Sequence, residues 1–178
     1  TLTPTPELEL PYPLCRYIVP AGEAFPNALV EPWTRARRQI INTYGPTEAS
    51  TDTSRQSLRP GEPVTIGSPF PNVTYVILEP GELRPLPHGE AGELCIGGVG
   101  VGRGYVEDRL RTAQAFVPDP FSTEPGARLY RTGDLARYRL DGTIEYVGRM
   151  DHQVKVRGFR IELGEIESCL TDQDEVRE

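Results

Sequence analysis

The chain has 178 residues, enough for one domain with a substantial core. A formal net charge of −7 argues against a nucleic-acid backbone as partner, and no apolar run is long enough to span a bilayer, so no membrane partner is expected. The 18 glycines and 18 prolines favour short strands and turns over long helices.

Residues 1–14 are Pro-rich and polar and read as a loop. Cys15 to Val19 suits a short buried strand, and Ala21-Gly22-Glu23 turns the chain. A helix is predicted to start with Pro26 in its first turn, with Leu29, Val30, Trp33 and Ala36 on its apolar side. Pro32 kinks it or delays its regular start, and Arg35, Arg37 and Arg38 occupy its last turns, where cations complement the dipole. Gln39 to Thr43 returns as a strand, so the opening third reads as the edge of an α/β layer. The motif NTYGPTE, residues 42–48, follows: a Gly-Pro turn that presents an aromatic, a hydroxyl and a carboxylate at a strand end, where α/β proteins place ligands. An ordinary surface turn with a buried tyrosine is the bland alternative.

Residues 49–60 read as polar and irregular, Pro63 to Gly67 as a short strand, and Val73 to Leu78 and Gly92 to Ile96 as strands. The run GGVGVGRGY, residues 97–105, meets neither the dinucleotide nor the Walker A spacing, so it reads as a strand bent by glycines. Glu107 to Phe116 is predicted helical, with Leu110, Ala113 and Phe116 on one side. Tyr130 to Asp134 leads into a hairpin that turns at Asp141-Gly142. Gly148 to Gln153 joins two blocks of alternating hydrophobics and reads as a hinge; Val154, Val156, Ile161 and Leu163 then form a strand pair, and Glu165 to Leu170 begins a helix. Cys15, Cys95 and Cys169 are widely spaced and read as reduced thiols. With His88 and His152 as the only histidines, no His/Cys metal cage is expected. No signal peptide is recognisable, and the chain reads as cytoplasmic.

Three stretches carry a resemblance: NTYGPTE (42–48), YRTGDL (130–135) and DHQVKVRGFRIELGEIE (151–167). Together they resemble the signatures of nonribosomal peptide synthetase adenylation domains, members of the adenylate-forming superfamily, and GELCIGGVGVGRGY (92–105) resembles that family's Gly-rich core strand. The resemblance implies a mixed α/β fold: an α/β-layer edge over 1–60, a distorted antiparallel β-barrel over 61–150, and the hinge and first hairpin and helix of a small C-terminal subdomain over 151–178. It implies ATP, Mg²⁺ and an amino acid as substrates and cofactor, release of pyrophosphate, and transfer of the aminoacyl group from its adenylate to the phosphopantetheine thiol of a peptidyl carrier protein, beside neighbouring synthetase domains.

By the same resemblance Asn42 and Tyr44 contact the nucleotide, with Tyr44 stacked on adenine, and Thr47 and Glu48 handle the phosphate and Mg²⁺, Glu48 as the metal ligand. Asp134 holds the ribose hydroxyls, with Tyr146 and Arg149 near the same sugar and phosphate, and Asp151 is the hinge. Lys155, the only lysine, matches the strand after the hinge and not the catalytic lysine. Val19, Ala21, Thr43, Thr51 and Asp52 match the substrate pocket, and a buried Asp52 would favour a polar or basic amino acid. The family's phosphate loop, amino-group aspartate and catalytic lysine have no match here, so the chain is expected to be a fragment that does not form an adenylate alone. An acyl-CoA synthetase-like enzyme and a non-catalytic interaction module are the alternatives.

Overall fold

The computed structural model describes residues 16–34, 38–151, 154–156, 159–161, 166 and 169–171. The predictions for Cys15, Arg35, Ala36, Arg37, Leu163 and Glu165 lie outside them.

The first sheet is built from β1 (Tyr17–Ile18), β2 (Gln39–Tyr44), β3 (Ser54–Leu58) and β4 (Ser68–Pro69), in that order. β1 runs parallel to β2, and the other pairs are antiparallel. A 3₁₀ turn (Asn27–Leu29) and a short helix, α1 (Val30–Thr34), cross over from β1 to β2. Pro26 is extended and precedes the turn instead of opening the helix, and regular α-helix begins only at Val30, the delayed start expected from Pro32. Val30, Ile40 and Leu58 form the small core beneath α1, with Phe25, Trp33 and Val64 packed against it.

The second sheet holds β5 (Val73–Leu78), β6 (Gly92–Gly98), β7 (Phe116–Pro118), β8 (Arg128–Tyr138) and β9 (Ile144–Arg149), all antiparallel in order β5-β6-β8-β7, with β9 also on β8. Eleven residues make β8 long enough for two partners along one edge, β7 near its start and β9 near its end. Strand β6 is buried on both faces: Leu94 and Ile96 point into the main core with Ile66, Tyr75, Ile77 and Ile144, while Cys95 points the other way onto Leu78 and Leu129. Helix α2 (Arg109–Ala115) leads into β7 and is capped by the Asp108 carboxylate, which accepts from the Arg111 amide at 2.9 Å. A small hairpin, β10 (Val154–Val156) and β11 (Phe159–Ile161), comes after β9 in the chain.

The mixed α/β class follows the sequence reading. The barrel does not close among the described residues. The outer edge of β9, which closure would need, is taken by the first sheet: Ile66 N–H donates to Ile144 O and Ile144 N–H to Gly67 O, both at 2.9 Å. Residues 63–67 therefore make a bridge to β9 and no strand of their own. Residues 54–58, read as irregular, are strand β3, whose Ser54 hydroxyl donates to Ile66 O at 2.7 Å and replaces the apolar contact the pattern lacks. The predicted strand is exposed rather than buried, with Tyr17 of β1 and the following Val19 each 56 % accessible, because β1 is an edge paired only with β2 among the described residues. In α2 the inward positions are Thr112 and Ala115, and Leu110 and Ala113 face outward. The Thr112 hydroxyl accepts from the Tyr105 amide at 2.8 Å, and this bond fixes the helix's rotation.

Candidate functional site

The end of β2 delivers three consecutive side chains to one place. Asn42 is buried and donates through Nδ2 to Thr65 O at 2.7 Å. Thr43 is held by Pro20 O, which accepts from its amide at 3.2 Å. Tyr44 comes next, and the chain then folds back so tightly that a Cβ on Gly45 would lie 2.2 Å from Thr51 O. Ser50 and Thr51 close this turn at φ of 68° and 73°, a left-handed conformation that a β-branched threonine adopts only under tertiary constraint.

That constraint comes from the glycine-rich run. Gly102 N–H donates to Glu48 O at 2.8 Å, and Ser50 Oγ donates to Gly100 O at 2.9 Å. A Cβ on Gly102 would stand 3.0 Å from Glu48 O. The glycines thus clamp the Thr47–Ser50 backbone. Tyr105, at the end of the run, donates its hydroxyl to Glu48 Oε1 at 2.8 Å and packs edge-on against Phe116. Sequence reasoning did not single out Tyr105; the only cue was an aromatic closing a glycine run.

Asp134 sits on a bulge. Cys95 stands opposite Arg131 and Glu93 opposite Leu135, so Thr132, Gly133 and Asp134 together face Leu94 alone. The bulge points the Asp134 carboxylate at Tyr44 and Arg149. Tyr44 donates its hydroxyl to Asp134 Oδ2, and Arg149 Nη1 donates to Asp134 Oδ1 at 3.0 Å and to Thr132 O at 2.8 Å. Arg149 Nε donates to Asp151 Oδ1 at 2.9 Å, and Nη2 pairs with Asp151 Oδ2. One guanidinium therefore joins both aspartates.

Burial, then the charge of Asp134, push the Tyr44 phenol well above its ordinary 10.0, so Tyr44 is the proton donor to that carboxylate. Tyr146 is raised by the same two causes in the same order. For Arg149, burial pulls the guanidinium down, but the bond to Asp151 and the charges of Asp134 and Asp151 outweigh it, so its proton is held more tightly than on an ordinary arginine.

Asn42, Thr43, Tyr44, Tyr146 and Arg149 line one cleft of roughly 740 Å³, closed on its other walls by residues 22–25 and 63–66. Asp134 lies just beneath, 4 % exposed, behind Tyr44 and Arg149. Thr47 and Glu48 do not line this cleft. Nor do Val19, Ala21, Thr51 and Asp52. Asp52 is exposed, not buried, so the inference from it to a basic substrate falls away: a solvated carboxylate needs no cationic partner. Asp151 is exposed at the end of β9, where it meets Arg149 and borders a second cleft of about 270 Å³ with Glu93, Tyr105, Arg131 and Gly133. Among the described residues no group of three or more His, Cys, Asp or Glu side chains could hold a metal by itself. Nor is any helix among them long and apolar enough to cross a membrane.

The mixed α/β fold thus gathers two tyrosines, an asparagine and an aspartate–arginine pair around one cleft. The AMP-binding enzyme family model matches residues 6–106, more than half of the chain, and the chain belongs to that family. Its relatives narrow the kind. It is 49% identical over 165 residues to phosphinothricin tripeptide synthetase PhsC of Streptomyces viridochromogenes, covering 93% of this chain and 15% of that protein. It is 50% identical over 165 residues to novobiocin biosynthesis protein H of Streptomyces niveus, covering 92% and 27%, and 45% identical over 184 residues to tyrocidine synthase 2 of Brevibacillus parabrevis, covering 100% and 5%. Among solved structures, an NRPS protein containing adenylation and PCP domains superposes with a TM-score of 0.80 at 30% identity, over 89% of this chain and 33% of that one. The Vibrio cholerae adenylation domain AlmE, in complex with glycyl-adenosine-5'-phosphate, gives 0.76 at 34% identity, over 88% and 30%. The chain thus spans 27% or less of these curated relatives and a third or less of these solved chains.

Proposed function

We propose that this chain is the nucleotide-facing part of an adenylation domain of a nonribosomal peptide synthetase, with residues 1–150 in the large subdomain and 151–178 opening the small one. The observation that carries the reading is the cluster Tyr44–Asp134–Arg149 at the floor of the cleft, with Asn42 and Tyr146 beside it. An aromatic pair suits a flat base, and an asparagine amide can both donate to and accept from its edge. A carboxylate accepts from both hydroxyls of a ribose diol and has lone pairs left for Tyr44 and Arg149. The arginine places positive charge where a phosphate meets the sugar.

In the whole enzyme an amino-acid carboxylate attacks the α-phosphorus of ATP, pyrophosphate leaves, and the aminoacyl-AMP passes its acyl group to the phosphopantetheine thiol of a carrier protein. The chain's residues act by position and charge, without a covalent nucleophile. Thr47 and Glu48, which stand outside the main cleft, are assigned to the phosphate by this reading. A single carboxylate fits Mg²⁺, which takes one or two protein oxygens and completes its shell with phosphate and water. The Tyr105 hydroxyl orients that carboxylate.

The test is calorimetric titration of Mg-ATP into the adenylation domain that contains this segment, beside amino-acid-dependent pyrophosphate exchange. We expect saturable binding weakened about 10- to 100-fold by Asp134→Asn, in line with the loss of a hydrogen bond to a charged acceptor. Binding that Asp134→Asn leaves unchanged sinks the assignment. Exchange driven by fatty acids and not by amino acids would move the enzyme to the acyl-CoA synthetase-like side.

A further inference from the structure

We infer that Glu93 is the positioning residue for Asp134: its carboxylate holds the bulge of β8 in the one shape that aims Asp134 at a ribose diol. The inference rests on the adenylation reading above.

Three residues of β8 face one residue of β6, so the amides of Gly133 and Asp134 have lost their ladder partners in β6. Side chains take over. Asp134 N–H donates to Thr132 Oγ1 at 2.9 Å, and Thr132 Oγ1 in turn donates to Leu94 O at 2.7 Å. Gly133 N–H donates to Glu93 Oε1 at 3.3 Å. The other oxygen of the same carboxylate accepts from Arg131 Nε at 2.9 Å and pairs with Nη2. One oxygen of Glu93 thus binds a cation and the other holds a bulge amide.

The position matters because the bulge is pressed against Arg149. Gly133 has φ of +68°, and a Cβ there would stand 3.0 Å from Arg149 Nη2. Arg149 is itself bonded to Thr132 O and to Asp134 Oδ1. A shift at Gly133 N–H therefore moves the carbonyl that orients Arg149 and the carboxylate that Arg149 orients. Stability alone gives no reason for a carboxylate here. The Glu93 side chain is 5% exposed on a strand whose following residues, Leu94, Cys95 and Ile96, are packed core, and replacing such an ion pair by apolar residues of similar volume is often neutral or stabilising.

Glu93→Gln tests this in the same adenylation domain, read as the ratio of kcat/KM for ATP to that for 2′,3′-dideoxy-ATP. A glutamine has one acceptor oxygen and cannot serve both Arg131 and Gly133. Small misplacements of a binding group carry large kinetic penalties, so we expect the ratio to shrink at least about tenfold, through KM for ATP, with KM for the amino acid unchanged. A merely structural role would lower activity with both nucleotides alike and leave the ratio intact. If the Gln variant does not fold, Glu93→Asp keeps the charge but withdraws the carboxylate from Gly133 N–H, and the same shrinkage is expected. Should wild type discriminate, Asp134→Asn abolish discrimination and either Glu93 variant keep it in full, the role of Glu93 is refuted while the ribose assignment stands. Failure of wild type to discriminate at all overturns the ribose reading and this inference with it.

Discussion

Tyr75 shows what a buried phenol contributes. Its ring stands edge-on to Tyr44 in the main core, and its hydroxyl is bonded to Thr53. Burial, more than any neighbour, pushes its pKa from 10.0 to about 12. The folded state therefore holds this proton more tightly than the unfolded chain does. The stability tied to that difference is complete below pH 10 and disappears as pH rises from 10 to 12. Its size is at most roughly 3 kcal/mol, two pKa units of differential proton binding. Urea melts across that window are expected to show stability falling with pH, and Tyr75→Phe to flatten the slope; a slope that the substitution leaves unchanged would assign the loss to other groups. Cys95 obeys the same physics, its thiol pushed up to about 12 mainly by burial and secondarily by Glu93, which keeps it protonated near neutrality.

At the scale of elements, glycine positions separate two kinds of cost. Gly142 turns the β8–β9 hairpin at φ +80° with open space where a Cβ would go, and Gly67 has φ +74° with Arg55 O only 1.8 Å from that place. Gly142→Ala then loses only the conformational preference, about 1–2 kcal/mol. Gly67→Ala must also push β3 away from the bridge that joins the sheets, and thermal melts are expected to show a clearly larger loss; equal losses would mean that β3 moves freely. Sequence reading found the first site and missed the second for a physical reason. A DG pair between alternating strands is a local signal, but the close approach of residues 55 and 67 arises only when the sheet forms. The same divide runs through the site. Asn42 and Tyr44 sit in one short motif and Asp134 and Arg149 in consecutive strands, and it was the resemblance of those stretches to a family, not their local pattern, that singled them out. Glu93 lies 40 residues from the amide it holds and Tyr105 lies 57 from Glu48, and nothing local marks either partner. Strand β3 was hidden for another reason: SRQSL buries Ser54 and Leu58, and a serine satisfied by Ile66 O carries no hydrophobic signature.

At the scale of the molecule, the main core belongs to both sheets. Ile144 packs there with Ile66, Tyr75 and Leu94, and its backbone exchanges bonds with Ile66 and Gly67. Ile144→Ala is expected to cost about 2–5 kcal/mol. It should also speed amide exchange at Ile66 and Ile144 together, because one removed side chain loosens one joint. Exchange that changes at Ile144 alone would show the sheets to be stable separately.

The guanidinium of Arg149 touches Asp134 with one arm and Asp151 with the other. In energetic terms it is a shared account of two occupancies. If Asp134 holds a sugar as proposed, that sugar would alter what Arg149 can offer Asp151, and a turn of the chain at residue 151 that withdrew its carboxylate would leave Arg149 to Asp134 alone. Linkage makes the two effects equal: the factor by which nucleotide changes the equilibrium of that turn is the factor by which the turn changes nucleotide affinity. On the adenylation reading proposed above, the hold on a bound nucleotide would then depend on where Asp151 stands.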